Sequence, residues 1–195
     1  MTIACDKPPF HILWNGEDRT LYSLYSEMCL PWEWHPALKV IANDLGMEFW
    51  STPFDNEAVD FLDTLGVPAF KVASFELIHI PLIEHIASKG KPIIMSTGMG
   101  SEREIADAYG ATQRYGALPV IVLKCTSAYP TPLDEMNLRA MGYPGMGLVV
   151  ASAMVGLSDH TLATWPAMLA VGLGAVMIEK HLTLSRDDGG PDAPF

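Results

Sequence analysis

AFKVASFELIHIPLIEHIASKGKPIIMST, residues 69–97, holds one full period of the pattern that runs through this chain. Residues 69–74 form a short apolar run broken by Lys71. Residues 80–89 space their apolar side chains at helical intervals and stop at Gly90. Residues 92–97 form a second apolar run ending in Ser96-Thr97. Strand, helix and strand of these lengths make a βαβ unit with parallel strands and a right-handed crossover. Runs that are apolar throughout, rather than alternating, suit parallel strands covered on both faces.

The period repeats outward in both directions. Downstream, a helix is predicted over 101–115, with Ser101 and Glu104 spaced as a capping box. It is followed by a strand at 119–126, a weak helix at 133–141, a strand at 149–157, a helix at 162–173 and a strand at 175–181. Upstream lies a helix at 55–65 with Asp55 as N-cap and Gly66 as terminator, a strand at 47–52, and a helix at 36–45 closed by Gly46. The first 34 residues read as an irregular segment with an Asn15-Gly16 turn signal, and residues 35–195 as the domain proper. Six strands alternate with helices, an α/β pattern.

Polar residues choose between an open sheet and a barrel. Each strand ends in small polar or charged groups: Ser51-Thr52; Lys71 with Ser74 and Glu76; Ser96-Thr97; Lys124 with Thr126-Ser127; Ser158-Asp159-His160; Glu179-Lys180-His181. In a (β/α)8 barrel all strand C-termini meet at one mouth, where the chemistry lies. An open sheet gathers ligand groups at a single switch point. No Gly-x-Gly-x-x-Gly turn or Walker loop follows any strand, against a doubly wound nucleotide fold. A TIM (β/α)8-type barrel is therefore expected, incomplete at six strands.

Composition narrows the function. Twelve Lys and Arg against 23 Asp and Glu give a formal charge of −11, with 49% hydrophobic residues. Such a chain has the means to build a core but lacks the basic stripe of a nucleic-acid binder. Cys5, Cys29 and Cys125 are odd in number and form no CxxC pattern, which reads as reduced thiols. No signal core and no apolar run of about 18 residues is present, so a cytoplasmic protein without a membrane partner is expected.

Several groups are able to carry chemistry. His160 and His181 end successive strands and either hold one divalent ion together or each hydrogen-bond a loop. Lys71, inside an apolar strand, is an anion clamp, a Schiff-base amine, or a stem packed along the barrel wall. Thr52, Ser74, Ser96, Ser127 and Ser158 are hydroxyls that jointly suit a phosphate or carboxylate and singly serve as turn formers. Cys125 reads as core. Asp192, in the Gly/Pro-rich tail, is a lid carboxylate for sugar hydroxyls or part of a solvated turn.

STPFD (51–55), VDFLDTLGVPAFKVASFEL (59–77), PLIEHIASKGKPIIMSTGM (81–99), KCTSAYPTP (124–132), GLSDHT (156–161), EKHLTLSR (179–186) and GGPDA (189–193) together resemble the sialic acid synthase family. PWEWH (31–35) and SFEL (74–77) are more similar to its pseudaminic acid synthase branch than to the N-acetylneuraminate branch. The resemblance implies condensation of phosphoenolpyruvate with an N-acetylated amino sugar, releasing phosphate. It implies that His160 and His181 bind Mn2+ or Mg2+. It implies that Thr52, Lys71, Ser74, Ser96, Ser127 and Ser158 hold phosphoenolpyruvate, and that Glu76, Tyr129 and Asp192 contact the sugar. His160, His181, Lys71 and Glu76 would be the catalytic set, and the full-length family form would be a homodimer.

The family pattern also has a first strand with an acidic motif, a second strand, and a C-terminal antifreeze-like domain that this sequence does not match. A barrel of this type takes about 250 residues. The expectation is thus the central six strands of a larger barrel, with this chain alone weakly active or inactive and prone to associate. N-acetylneuraminate specificity, a sugar- or phosphate-binding remnant without turnover, and a Schiff-base aldolase on Lys71 are the competing expectations.

Overall fold

A computed structural model describes residues 11–14, 16–116, 119–142 and 153–188. Two compact units divide the chain, Met1–Phe49 and Trp50–Phe195.

In the first unit, β1 (His11–Trp14) and β2 (Glu17–Thr20) pair antiparallel, with Trp14 opposite Glu17. The Asn-Gly dipeptide between them is a hairpin signal, and Gly16 takes the positive φ of 84° that such a turn needs. Helix α1 (Leu21–Met28) follows, with Thr20 accepting the Ser23 N–H as N-cap. Helix α2 covers His35–Asp44. Residues 11–28 are thus regular where the sequence reads as irregular. Strand β2, EDRT, has no apolar alternation to announce it.

Residues 47–52 are expected to be a strand, yet residues 47–53 join no ladder. Met47 is 54% exposed and Trp50 39%, so little burial holds this stretch to a sheet. Among the described residues the second unit has five parallel strands instead of six. They are β3 (Phe70–Val72), β4 (Ile93–Ser96), β5 (Val120–Cys125), β6 (Met154–Asp159) and β7 (Ile178–Lys180), in that spatial order. Helices α3 (Asn56–Leu65), α4 (Ile80–Ala87), α5 (Glu102–Gln113) and α6 (Trp165–Gly172) alternate with them. The expected weak helix at 133–141 is two 3-10 turns, Leu133–Glu135 and Leu138–Met141. Strand β6 runs to Asp159, so Ser158 and Asp159 belong to the ladder rather than to a following loop.

Period-two alternation sorts the side chains. Phe70, Val72, Ile93, Met95, Val120, Val122 and Leu157 pack in one large core. There they meet Val59 and Leu62 of α3, Leu82, Ile83 and Ile86 of α4, and Ile105, Ala108 and Ala111 of α5. The other face carries a small cluster of Ala69, Ile94 and Leu123, with Ile121 and Met177 against it. Lys71, Ser96, Ser158 and Glu179 share the strand parity of that second face.

The second face is concave. Strands β3 and β7 are the two edges of the described sheet, four strand spacings apart. In a flat sheet that separation is about 19 Å. Yet Lys71 Nζ on β3 lies 3.2 Å from Glu179 Oε1 on β7. Only a sheet curled as in a barrel brings the two side chains together across its interior.

Two local features carry predictions. A Cβ on Gly156 would meet the Met177 carbonyl oxygen at 2.5 Å and Leu123 Cδ2 at 2.6 Å. Backbone cannot yield as a side chain can, so Gly156→Ala is expected to cost about 1–3 kcal/mol in a urea melt. Helix α5 has the full capping box: Glu104 N–H donates to Ser101 Oγ at 3.3 Å, and Ser101 N–H to Glu104 Oε2 at 2.8 Å. Ser101→Ala is expected to cost about 1 kcal/mol. The Ser101 backbone N–H, and then its hydroxyl, hold the Glu104 carboxyl below its ordinary 4.5. That contribution is complete above pH 4.5 and is lost as pH falls through the lower folded value. Ser101→Ala keeps the backbone donor and loses only the hydroxyl, so the urea midpoints of the two proteins should draw closer, but not merge, on acidification.

Candidate active site at the strand ends

The strand order puts the C-terminal ends of β3, β4, β6 and β7 around one mouth, and Glu179 sits at its centre. Its Oε1 pairs with Lys71 Nζ, while Oε2 accepts from Ser158 Oγ at 2.7 Å and from Ser96 Oγ at 3.4 Å. Lys71, Ser96 and Ser158 are all buried. Burial opposes the charge on Glu179, but the Lys71 ammonium and the Ser158 hydroxyl outweigh it and hold the carboxyl below its usual range. One cation and two hydroxyls thus converge on a carboxylate, the arrangement that a carboxylate or phosphate ligand needs.

Beside this group stand the two histidines. Ser158 and Glu179 are register partners on β6 and β7, and His160 and His181 follow each by two residues on the same face. The imidazole centroids are 5.2 Å apart at 69°. His160 Nδ1 lies 3.0 Å from the Thr126 carbonyl, and Nε2 lies 3.4 Å from Ser158 Oγ. The Tyr129 ring stacks on His160 at 4.2 Å and meets His181 edge-on at 6.1 Å. A small cleft whose lining includes Thr126, Thr131, Met136, Ser158, Asp159 and His160 opens alongside.

Cys125 Sγ lies 3.9 Å from both His160 Nδ1 and Ser127 Oγ. Burial pushes the thiol up, yet His160, Ser74 and Ser127 together bring it down to about 7. Burial likewise works against charge on His160. Contacts with Cys125, the Thr126 carbonyl and Glu179 overcome it and raise the imidazole above 6.5. Gly98 makes room for this corner. Its N–H donates to Ser74 Oγ at 3.1 Å, and a Cβ there would lie 2.1 Å from Ser127 Oγ, 2.9 Å from Ser74 Oγ and 3.1 Å from Cys125 Sγ.

The structure therefore brings together Lys71, Ser96, Ser158, His160, His181 and Tyr129, with Ser74 and Ser127 meeting at Gly98. Thr52 is half-buried on the stretch before α3, outside the Glu179 hydrogen-bonded group. Glu76 is buried on the 3-10 turn that begins at Ser74. Asp192 lies outside the described residues. Three lysines that look alike in sequence have different places. Lys71 enters the mouth. Lys124 donates to the Cys125 carbonyl and Thr126 Oγ1, each at 2.9 Å. Lys180 pairs with Asp159 at 3.0 Å. Glu179 and Asp159 stand among the polar strand ends in the sequence without an assigned role, and Gly98 is not singled out there at all.

The donor set suits part of a metal site. Among the described residues no three His, Cys, Asp or Glu side chains form a cage. The His160–His181 pair supplies two imidazoles, which leaves the remaining positions of a divalent ion to water and substrate oxygens. No helix among the described residues is long and apolar enough to cross a membrane.

The sequence model of the NeuB family matches residues 1–195, the whole chain. This chain belongs to the NeuB family. Among its relatives, the pseudaminic acid synthase of Helicobacter pylori is 38% identical over 198 residues, covering 100% of this chain and 57% of that protein. The N,N'-diacetyllegionaminic acid synthase of Legionella pneumophila is 39% identical, covering 90% of this chain and 50% of that protein. The chain thus spans about half the length of the curated relatives it matches. A solved N-acetylneuraminic acid synthetase from Leptospira borgpetersenii superposes with a TM-score of 0.81 at 31% identity, over 89% of this chain and 59% of that one. A truncated 3-deoxy-D-arabino-heptulosonate 7-phosphate synthase from Thermotoga maritima aligns with a TM-score of 0.68 at 12% identity, a likeness of fold. The NeuB assignment and the curl of the sheet agree on a barrel of which five parallel strands are described.

Proposed function

We propose that this chain carries the phosphoenolpyruvate-binding and metal-binding part of a nonulosonic acid synthase, which condenses phosphoenolpyruvate with an N-acetylated amino sugar and releases phosphate. The observation that carries this reading is the convergence of Lys71, Ser96 and Ser158 on one carboxylate beside a facing pair of imidazoles. A substrate that is both phosphate and carboxylate needs that cation and those hydroxyls. The NeuB relatives named for pseudaminic and legionaminic acids support the product class. The match of PWEWH and SFEL favours the pseudaminic branch.

In this reading Lys71, with Ser96, Ser158, Ser74 and Ser127, orients phosphoenolpyruvate so that its C3 faces the sugar aldehyde. Tyr129, 47% exposed, offers a face to the sugar at the rim. His160 and His181 would hold a divalent ion, Mn2+ or Mg2+, which when bound supplies Lewis-acid polarisation of the aldehyde oxygen. The Thr126 carbonyl at Nδ1 fixes the His160 ring, directing Nε2 toward the mouth. Phosphate leaves from C2 after water adds there, and the Lys71 ammonium offsets its developing charge.

The geometry weighs against the Schiff-base aldolase. Lys71 Nζ lies 3.2 Å from Glu179 Oε1, and the amine must leave that contact before it can attack a carbonyl. The test is phosphate release by the full chain. Release is expected to require both phosphoenolpyruvate and an N-acetylated amino sugar, to stop with EDTA, and to yield a nonulosonic acid by mass spectrometry. Borohydride trapping of substrate on Lys71 without metal dependence would overturn the proposal.

A further inference from the structure

Asp159 and Lys180 lie behind the mouth, on the opposite face of the same two strands. They are direct register partners on β6 and β7. Each is followed immediately by one of the two histidines, Asp159 by His160 and Lys180 by His181. The Asp159 side chain has no solvent exposure, whereas that of Lys180 is one-third exposed. Asp159 Oδ2 accepts from Lys180 Nζ at 3.0 Å, and Oδ1 accepts the Thr161 N–H at 2.9 Å. Lys180 Nζ donates again to the Thr161 carbonyl at 2.6 Å. The two side chains and the Thr161 backbone therefore close a ring of three hydrogen bonds around the residues that carry the imidazoles.

A fully buried carboxylate persists only when it is paired and hydrogen-bonded. This one spends one oxygen on the backbone N–H of the residue after His160, and the other on the side chain of the residue before His181, across the ladder. The sheet ladder ends here, with Asp159 opposite Lys180 as its last pair. Beyond it nothing in the β6–β7 ladder fixes the spacing of His160 and His181. The ring takes over at that point.

We infer that Asp159 and Lys180 are positioning residues that hold His160 and His181 at the separation needed to bind one divalent ion. The inference rests on the metal reading of the histidine pair given above. It makes no use of Asp159 or Lys180 as groups that touch substrate.

The test is Mn2+ binding to the full chain, followed by calorimetry and by the electron paramagnetic resonance of the bound ion. Asp159→Asn and Lys180→Met are each expected to weaken Mn2+ binding on the order of 10–100-fold, the usual effect of losing a group that orients a metal-binding histidine. Both should alter the resonance spectrum. Lys180→Arg, which keeps the charge and the donors, is expected to recover much of the affinity. Urea midpoints of the metal-free proteins give the separate, purely structural effect. If Lys180→Met, at the more exposed end of the pair, lowers the urea midpoint yet leaves Mn2+ affinity and spectrum as in the wild type, the inference is wrong while the metal site stands. If the wild type binds no Mn2+, or His160→Ala and His181→Ala bind it equally well, the metal reading itself fails and takes the inference with it. Lys180→Met serves also where Asp159→Asn does not fold.

Discussion

Gly98→Ala is expected to leave a folded chain that has lost its affinity for phosphoenolpyruvate. A Cβ at this position would stand 2.1 Å from Ser127 Oγ and 2.9 Å from Ser74 Oγ, contacts no real atoms sustain. The atoms in the way are the tips of short side chains, not backbone. Rotating Ser127 and Ser74 about χ1 relieves the clash at a stability cost of about 1–2 kcal/mol. The same rotation takes both hydroxyls out of the corner beside Cys125 and His160 and strains the Gly98 N–H bond to Ser74. Removing a single preorganised donor typically costs about 10^2–10^3 in rate. Losing two together is expected to reach at least that range in phosphate release. The check is a pair of measurements: a cooperative urea melt whose midpoint falls by no more than that cost, and thermal stabilisation by phosphoenolpyruvate that disappears. A variant that unfolds outright, or one that keeps full stabilisation, would contradict this account of Gly98.

Lys71→Met is expected to have the other large effect. Methionine keeps much of the stem's packing inside the barrel but removes the charge. The buried Glu179 carboxylate then loses its cation and keeps the hydroxyls of Ser158 and Ser96. Two consequences should follow. Phosphoenolpyruvate binding should fall on the order of 10^2–10^3-fold at neutral pH, where the repulsion between Glu179 and the substrate's charges is no longer offset. Glu179→Gln in the same background removes that repulsion and should restore part of the binding, which double-mutant analysis of the substrate-induced thermal shift will show. Binding by Lys71→Met equal to that of the wild type would remove Lys71 from the anion site.

Much of this was legible in the chain itself. The βα period located β3, β4 and β5, and the cap signals placed the ends of α3 and α5. Asp55 accepts the Ala58 N–H at 2.7 Å, and Gly66 closes α3 with φ 74°. What escaped did so for physical reasons. The run VVASAMVGL is apolar without period, so nothing in it marks where β6 begins. Ser158 and Asp159 look like loop residues, yet at a barrel mouth the ladder continues into polar side chains. The mouth residues Lys71, Ser96, Ser158, His160 and His181 were visible as strand ends. Glu179 was visible as one too, but its role was not. That role depends on a contact between the first and last strands of the parallel sheet, and only the curl of the sheet creates it.

That contact has a kinetic meaning as well. Lys71 and Glu179 are separated by 179 − 71 = 108 residues. The ladders between them join strands that follow one another in sequence, and each closes a much shorter loop. Closing the longest loop carries the largest entropic cost and is rewarded only after the intervening pairings exist. The Lys71–Glu179 contact is therefore expected to be among the last features to form as the chain folds, and among the first to open. A ligand that bridges Lys71 and the β7 end would act as a staple across the whole sheet, stabilising the folded state by mass action in proportion to how tightly it is held.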